Sequence, residues 1–447
     1  MHTKIFTKND YGFYCEREVF SGQMLSGIET ATVSEQETCR EFLGYGAAIT
    51  GSSCYNLSRM EAGKRETLLK DLYSEEGLHM GIGRLTIGAS DYSPVPYSYD
   101  DVAEDTELVH FSIDPDREYI IPMIKEILKI NPQIKLFASP WSPPAWMKTG
   151  ASLGGGFMRE KYLECYARYF VKFILAYEKE GIPIYAVTLQ NETLTDQVGK
   201  MPACIWHPET EAKFVSILHE EFAKNHILTK IWFHDHNFSA AANKVDWCLT
   251  EYPLLQTQCD GIAFHYYHGG IEQTACLKKR YPSLSLHFTE GGPRLYDHYD
   301  SDWCKWGQML IKALNHGYSS FTGWNLMLDE TGGPNIGPFF CGGLVTGNSQ
   351  DHSVSYSGQY KAFRHFTDVT PESRIYPLRI TNPGSHMSNY PNGEAYLPEG
   401  CMICNPDGKK SLVLVNPMKT KSQIQFLHDG VCRYIELLPN TLATVLL

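Results

Sequence analysis

Three features are missing from this sequence, and each absence excludes a class of protein. No stretch approaches 18 consecutive apolar residues, so no transmembrane helix and no stable membrane insertion are expected. The first residues, MHTKIFTKNDYGFYC, contain neither the apolar region nor the small-residue cleavage site of a signal peptide, which predicts a protein that is not secreted by that route. Basic residues form no cluster in a chain of net charge −12, so nucleic-acid binding is not expected.

The cysteines follow no disulfide or zinc pattern. There are 13 of them, an odd number scattered along 447 residues, which favours reduced thiols and predicts a cytoplasmic protein. Cys401 and Cys404 form a C-x-x-C pair, but no second pair stands at the spacing of a zinc ribbon. We interpret both as strand residues, and we expect neither a metal ion nor a cofactor.

What the sequence does contain is a repeated unit: a short apolar strand with a polar or glycine-containing end, followed by a longer helical stretch. This alternation is typical of parallel strands joined by crossover helices. Eight such units in roughly 290 residues predict an α/β fold of the (β/α)8 TIM barrel type. The predicted strand ends lie at residues 42–50, 81–91, 134–144, 182–192, 230–237, 261–270, 284–292 and 320–330.

Two of the intervening helices are well marked. In residues 159–180 apolar side chains recur at three-to-four spacing, which predicts a helix with one buried face. Gly181 then stands where a helix stop is expected. The run PETE opens a second predicted helix, which continues from Pro208 to about Lys224.

The two ends of the chain have a different pattern. Residues 371–447 read as short strands bounded by Gly, Asn, Asp or Pro, which predicts a small all-β domain, a β-sandwich. Residues 1–38 are strand-like and turn-like, and we expect their strands to join the sandwich, because chain termini often lie close together. The predicted catalytic barrel is the remaining segment, 39–370.

Two glutamates stand out among the acidic residues at the predicted strand ends. Glu192 follows the fourth strand and Glu290 the seventh, and from position 192 to position 290 there are 98 residues. Barrel units here average roughly 36 residues, so this distance is close to three units. The pair is therefore expected to face across the barrel mouth. Glycoside cleavage requires two such carboxyl groups, one to protonate the leaving oxygen and one to attack or to activate water.

Seven segments of the chain, taken in order, resemble those of glycoside hydrolase family 30, the family of the glucosylceramidases. They are LGYGAAIT, GRLTIGASDYS, FASPWSPPAWMKT, TLQNE, FHYYHG, HFTEGG and GWNLMLDETGGPN, within about residues 42–380. The resemblance implies a retaining β-glycosidase with Glu192 as general acid/base and Glu290 as nucleophile. It also implies these further roles: Arg84 behind the nucleophile, Asp91 at distal sugar hydroxyls, Trp141 and Trp324 as walls of the first sugar subsite, Asn191 at the 2-hydroxyl, and His265 and Tyr267 around the nucleophile.

The chemistry of a retaining glycosidase predicts opposite protonation of the two glutamates. Glu290 has to be ionised to stabilise the oxocarbenium-like transition state and to form a bond to the anomeric carbon as the bond to the leaving oxygen breaks. We expect Arg84 to hold the pKa of Glu290 low. Glu192 has to be protonated at the start, which a less polar site and the charge of Glu290 would favour.

Other interpretations of the same residues stay open. Arg84 is alternatively a plain barrel salt bridge, and Trp141 and Trp324 are alternatively packing residues. A carbohydrate-binding barrel without catalysis is a further alternative, although the two glutamates argue against it. The histidine-rich strand ends also allow a metallohydrolase, with candidate ligands at His234, Asp235, His236, His265 and His268.

The substrate is less well defined than the reaction. Family 30 includes glucosylceramidases, β-1,6-glucanases, β-xylosidases and xylanases, which fold and catalytic pair do not separate. The motif spacing favours small β-glucosides, either glucosylceramide-like or β-1,6-linked, and a cytoplasmic location favours exo action. Xyloside, fucoside and galactoside hydrolysis stay as alternatives. The Gly-rich segment at residues 152–156 is either a lid or a plain turn, and the sequence does not indicate an oligomeric state.

Overall fold

The computed structural model of the protein describes residues 2–6, 15–18, 20–35, 37–38, 41–381 and 398–447. Its strands are β1 (His2–Phe6), β2 (Cys15–Glu18), β3 (Phe20–Gly22), β4 (Glu29–Val33), β5 (Tyr45–Ala48), β6 (Ile82–Ile87), β7 (Lys135–Pro140), β8 (Ala186–Thr188), β9 (Lys230–Asn237), β10 (Gly261–His265), β11 (Ser285–Glu290), β12 (Tyr318–Gly323), β13 (Met327–Asp329), β14 (Val345–Gly347), β15 (Val354–Tyr356), β16 (Arg374–Thr381), β17 (Glu399–Cys404), β18 (Lys410–Asn416), β19 (Ser422–His428), β20 (Val431–Leu437) and β21 (Thr441–Leu446).

The α-helices are α1 (Gly51–Arg59), α2 (Ala62–Tyr73), α3 (Ile120–Ile130), α4 (Leu163–Lys179), α5 (Pro208–Lys224), α6 (Trp247–Glu251), α7 (Leu255–Gln258), α8 (Ala275–Arg280), α9 (Trp303–Asn315) and α10 (Gly358–Phe363). None of the helices in the described part of the chain combines the length and the apolarity needed to cross a membrane.

Strands β5 to β12 form a closed barrel in chain order, with β12 hydrogen-bonded back to β5. Each of the eight predicted strand ends overlaps one of these strands, so the predicted TIM barrel is confirmed. The barrel strands are almost entirely buried, and every residue of β6 is, because such strands are covered by helices outside and by packed side chains inside. Their carboxyl ends meet at one mouth, which places the residues that follow them side by side.

The two helices predicted in detail are present. A single 3-10 turn, Glu160–Tyr162, leads into α4, and α5 has the predicted bounds. The chain leaves α4 through Gly181, whose φ of 77° lies in the left-handed region that a glycine adopts without a steric penalty. The helix end that was predicted at Gly181 therefore has a backbone conformation that favours glycine.

The strands at the two ends of the chain form one hydrogen-bonded sheet, in the order β2-β1-β21-β18-β17-β16-β4-β19-β20-β3. The N-terminal strands belong to it as predicted, since β1 pairs with β21 and β4 lies between β16 and β19. Strands β4, β18, β19, β20 and β21 contribute to one apolar core, whose members include Ala31, Leu412, Phe426, Ile435 and Val445. Strand β17 was predicted only through its two cysteines, which were interpreted as strand residues. It contains Cys401 and Cys404, which are strand residues with free thiols.

By the density of its internal contacts the chain divides into two compact units. One contains the barrel strands and comprises residues 45–295 and 320–355. The other contains the ten-stranded sheet and comprises residues 1–44, 296–319 and 356–447. The boundaries predicted from the sequence, 1–38, 39–370 and 371–447, stay predictions.

Candidate active site

The predicted catalytic residues come from neighbouring strand ends of the barrel. Glu290 is the last residue of β11, His265 is the last residue of β10, and Glu192 follows β8. Arg84 projects from the middle of β6, and it is fully buried. Because parallel strands bring these positions to one edge, residues distant in sequence become direct neighbours here.

The two glutamates face each other at close range. One carboxylate oxygen of Glu192, one of Glu290 and a ring nitrogen of His265 all lie within 4.8 Å of one another. The Glu290 side chain is 7% exposed and that of Glu192 is 12% exposed. This is a pair of nearly buried carboxyl groups at the carboxyl ends of the barrel strands.

Both oxygens of Glu290 accept hydrogen bonds. Arg84 Nη1 donates to Oε2 at 2.5 Å, and the Tyr267 hydroxyl donates to Oε1 at 2.8 Å. Arg84 Nη2 donates to Asn191 Oδ1 at 2.9 Å and to Asp235 Oδ2 at 2.8 Å. The guanidinium group therefore divides its charge between two carboxylates and an amide.

The oxygens of Glu192 have different partners from each other. Oε1 lies 3.2 Å from His265 Nδ1 and 3.9 Å from His236 Nε2. Oε2 accepts a hydrogen bond from Gln197 Nε2 at 2.5 Å. The backbone at Glu192 is left-handed, with φ 52°, and its N–H donates to the carbonyl of Asp235. Strained backbone of this kind clusters at functional sites.

Asp235 is the centre of a buried network behind the two glutamates. Its carboxylate accepts four side-chain hydrogen bonds, from Arg84 at 2.8 Å, Thr188 at 2.6 Å, Thr289 at 2.7 Å and His265 Nε2 at 3.1 Å. These donors lower the pKa of Asp235 far below its ordinary value, although burial opposes the shift. Asp235 is thus a permanent anion that orients Arg84 and His265 together.

The electrostatics of the pair correct one sequence-based expectation. Burial raises the pKa of Glu290, and the charge of Glu192 adds to this, against the lowering by His265 and Arg84. For Glu192, burial acts upward, but the hydrogen bond from His265 and the charges of His265 and Arg84 lower its pKa. The net directions are opposite to those expected, because burial outweighs the lowering of the Glu290 pKa by Arg84, while the histidine lies against Glu192.

His265 is the protonated neighbour of the two glutamates. Burial opposes its ionisation, yet the charge of Glu290 and the hydrogen bonds to Asp235 and Glu192 raise its pKa to about 9. With Nε2–H donated to Asp235, the Nδ1 proton lies on the 3.2 Å contact with Glu192. Burial lowers the pKa of the neighbouring His236 to about 4, so that ring is neutral at pH 7.

The predicted sugar-binding residues lie beside this pair. Trp141 and Trp324 are buried and stacked, with ring centres 5.1 Å apart, and the guanidinium carbon of Arg84 lies 4.7 Å from the Trp141 ring centre. Asp91 is also buried, and its Oδ1 is without a hydrogen-bond partner among the described residues. Burial and the charges of Glu290 and Glu192 raise its pKa well above the ordinary value. A buried acceptor of this kind is suited to a ligand hydroxyl.

The predicted alternative set of metal ligands does not converge. His234 contacts the ammonium group of Lys244 and the carbonyl of Asn237, and His268 is exposed. Within the described ranges, the group of three or more donors that could share an ion is Glu192, His265 and Glu290. A cation, Arg84, already lies against Glu290 there, and a second cation would be repelled by it.

Sequence reasoning missed two residues of this site. Asp235 was noticed only as a metal-ligand candidate, and Gln197 was not singled out. The pairing of β9 with β10 explains why Asp235 was overlooked. The register shifts between Ala263 and Phe264, so that Asp235 is skipped in the β9–β10 ladder. In the sequence, the His-Asp-His run at a strand end was the signal that could have identified Asp235. Gln197 has no comparable signal, because it lies in an irregular loop.

A barrel whose strand ends present a close carboxylate pair, backed by an arginine and flanked by stacked tryptophans, defines the O-glycosyl hydrolase class of enzymes. The comparisons with known proteins define the family. The chain belongs to glycosyl hydrolase family 30, since residues 42–367 match the family model of the "Glycosyl hydrolase family 30 TIM-barrel domain".

Relatives of this chain have two kinds of name. Putative glucosylceramidase 3 of Caenorhabditis elegans is 31% identical over 362 residues, which cover 76% of this chain and 69% of the relative. Endo-1,6-beta-D-glucanase BGN16.3 of Trichoderma harzianum is 26% identical over 400 residues, covering 84% and 78%. Among solved structures, the endo-beta1,6-glucanase BT3312 is 27% identical with a TM-score of 0.85, covering 99% of this chain and 98% of that one.

Proposed function

We propose that this enzyme is a retaining β-glycosidase that hydrolyses β-glucosides by double displacement, with Glu290 as nucleophile and Glu192 as general acid/base. The observation that carries the proposal is the short distance between the carboxylates, whose nearest ligand oxygens lie within 4.8 Å. Retaining enzymes hold the two groups about 5–5.5 Å apart, whereas inverting enzymes leave about 6.5–9.5 Å for a water molecule.

In the first step Glu290 attacks the anomeric carbon and the leaving oxygen takes a proton from Glu192. Tyr267 and Arg84 donate to both oxygens of Glu290, which supports its ionised form and aims the carboxylate at the sugar. The pKa of Glu290, raised by burial, makes it a stronger nucleophile than an ordinary carboxylate once it is ionised.

The proton for the leaving oxygen is already present at the His265–Glu192 contact. Transfer from Nδ1 to Oε1 converts an imidazolium and a carboxylate into a neutral imidazole and a carboxylic acid. The approach of a sugar displaces water and favours the pair of neutral groups over the pair of charged ones. After glycosylation of Glu290 its charge disappears, so the carboxylate form of Glu192 becomes more stable and serves as the base that activates water.

The sugar subsite of the proposal lies beside the catalytic pair. Trp141 and Trp324 provide apolar faces, Asn191 lies beside the catalytic pair, and the free oxygen of Asp91 is positioned for hydroxyls. The loop after β13 covers Asp91, since the N–H of Ile336 donates to the Asp91 carbonyl. The packing of this loop against Asp91 supports removal of one terminal sugar, that is, exo action on small glycosides, in the proposed cytoplasmic setting.

Either a glucosylceramide-like or a β-1,6-linked glucoside suits this proposal, because relatives bear both kinds of name. Endo action is the second candidate, favoured by the names of the endo-1,6-glucanase relatives. The alternatives with xylose, fucose or galactose in the sugar subsite differ from glucose only in individual hydroxyl or hydroxymethyl groups.

One panel separates these candidates. Nitrophenyl β-glucoside, xyloside, fucoside and galactoside are compared with gentiobiose and a longer β-1,6-glucan, and the first-formed product anomer is followed by NMR. The proposal expects the glucoside to be preferred and β-glucose to appear first. An α-anomer as the first product would exclude the retaining mechanism, and internal cleavage of the glucan would replace exo with endo action.

A further inference from the structure

We infer that Gln197 is the leaving-group-binding residue of this enzyme: its amide occupies the position of the leaving oxygen at Glu192 in the free protein and hydrogen-bonds a leaving-group hydroxyl once substrate is bound. This selects sugars over apolar groups as leaving groups. The inference rests on the proposed function, in which Glu192 is the acid.

The two oxygens of Glu192 show where the leaving oxygen has to approach. Oε1 faces the rings of His265 and His236, so its surroundings are protein. Oε2 faces Gln197, whose Nε2 donates to it at 2.5 Å, and the Gln197 side chain reaches solvent. The oxygen that meets a substrate is therefore Oε2, and the amide stands in its path.

The proton balance at Oε2 requires the amide to move. In the free protein Oε2 is an acceptor and the amide N–H is its donor. The proton that Oε1 receives from His265 reaches the leaving-group side when the carboxyl group of Glu192 turns by half a revolution about its Cγ–Cδ bond, so that the oxygen on that side becomes a donor toward the leaving oxygen. Two donors cannot share one hydrogen bond, so the amide has to turn away and needs a new partner. A hydroxyl of a leaving sugar offers both a donor and an acceptor to it.

The loop that carries Gln197 is held in an unusual conformation. Gln197, Val198 and Gly199 have consecutive positive φ values of 51°, 54° and 65°. The Thr195 hydroxyl accepts from the N–H of Gln197 at 3.1 Å, and Asp196 Oδ1 accepts from that of Val198 at 2.9 Å. Non-glycine residues adopt this conformation at a cost, and such costs are retained where the geometry has a use.

A neighbouring loop braces this turn from behind. A Cβ atom at Gly154 would lie 2.6 Å from the carbonyl oxygen of Gly199, so the two backbones are in direct contact. The buried ammonium group of Lys148 donates to the carbonyls of Leu153, Gly155 and Ala203 at 2.7–2.8 Å. The Gly-rich segment predicted as a lid or a plain turn is thus tied to the Gln197 loop.

The experiment compares two substrates in the variant Gln197→Met, which keeps side-chain length and removes the amide. The substrates are gentiobiose, with a sugar leaving group, and 2,4-dinitrophenyl β-glucoside, whose leaving group needs no acid and has no hydroxyl. Loss of one hydrogen bond to a substrate hydroxyl lowers kcat/KM by about 10- to 100-fold. We expect the gentiobiose-to-aryl ratio of kcat/KM to fall by that factor. Val198→Ala, at an exposed neighbour, is the matched control and leaves the ratio unchanged.

A pH profile adds a readout that a folding defect does not produce. Removing the amide donor destabilises the carboxylate form of Glu192, so Gln197→Met shifts the alkaline limb of kcat/KM to higher pH. An equal fall for both substrates, an unchanged ratio, or a wild-type enzyme that cleaves the aryl glucoside but no glucose disaccharide overturns the inference. Failure of the proposed function is distinct from all of these, because the wild type would then cleave neither substrate.

Discussion

At the level of single residues, the site separates two glutamates by their hydrogen-bond partners. Glu290 receives a guanidinium and a phenol, whereas Glu192 receives an imidazole and an amide. Donors that cannot accept a proton hold Glu290 in place as an anion. The imidazole at Glu192 can give and take a proton, and this difference assigns attack to one residue and proton transfer to the other.

The first prediction separates the two glutamates by their variants. Glu290→Ala abolishes turnover of aryl β-glucosides, because no covalent intermediate can form. Glu192→Ala lowers kcat about 10²–10⁴-fold on glucosides with poor leaving groups, spares those with good ones, and is rescued by azide with formation of glucosyl azide. Steady-state kinetics and product analysis measure both effects. Glu209→Ala, an exposed glutamate on α5, is the control, and near-normal activity of Glu290→Ala would refute the assignment.

The second prediction concerns pH. The His265–Glu192 pair keeps its shared proton below the pKa of His265, which is raised to about 9, so kcat/KM falls as the pH rises through about 9. In His265→Gln the proton is held by Glu192 alone, so the alkaline limb moves to lower pH. The pH dependence of kcat/KM for an aryl glucoside measures this. An alkaline limb that stays in place in His265→Gln would show that the proton is held elsewhere.

At the level of secondary-structure elements, irregular pairing shapes the site. The β9–β10 ladder shifts register after Ala263, and the β10–β11 ladder shifts after Phe264. The skipped residues are Asp235 and Thr289, and the hydroxyl of Thr289 donates to Asp235. A bulge re-aims a side chain that regular alternation would point elsewhere. Two adjacent shifts thus bring an anion under the catalytic pair.

The third prediction tests this anion. Asp235→Asn removes one of the two carboxylates that pair with Arg84 and one of those that surround His265, and breaking such a buried pair costs about 3–5 kcal/mol of unfolding free energy. We also expect a lower pKa for His265, because an attractive charge is lost. Urea unfolding and the pH profile of kcat/KM measure the two effects. Asp429→Asn, which loses an exposed ion pair with Lys410, should change stability by less than about 1 kcal/mol. Equal stability of the two variants would contradict the role given to Asp235.

At the level of the whole molecule, the chain completes its ten-stranded sheet with segments from both ends. Strand β4, near the N-terminus, lies between β16 and β19, which are more than 340 residues later in the sequence. Ala31 of β4 is fully buried in the sheet core, and Thr32, the next residue, is exposed. The unit therefore depends on contacts that close a very long loop.

The fourth prediction uses the alternation of buried and exposed side chains along β4. Ala31→Asp places an unpaired carboxylate in the apolar core and destabilises the sheet unit by at least about 3 kcal/mol. Thr32→Asp, on the opposite face of the same strand, has little effect. Thermal unfolding of both variants measures the difference. If the two variants melted at the same temperature, β4 would not contribute to the core as described.

The predictable part of this protein is the part that local patterns encode. The barrel and its strand ends follow from apolar runs of strand length and from helical spacing, as in residues 159–180 and 208–224. The pair Glu192 and Glu290 follows from counting units along the chain. The strand position of Cys401 and Cys404 in β17 was likewise predicted, because no second C-x-x-C pair stands at the spacing of a zinc site.

The sequence by itself determined the barrel, the family and the positions of the two glutamates, because side-chain periodicity and motif order are properties of the chain alone. Tertiary structure decided the charges within the site. Arg84 is shared with Asp235, His265 lies against Glu192, and an amide covers one oxygen of that glutamate. Hydrogen bonds and Coulomb interactions depend on distance in space. The directions in which the pKa values of Glu192 and Glu290 shift therefore depend on neighbours that only the folded barrel brings close to them.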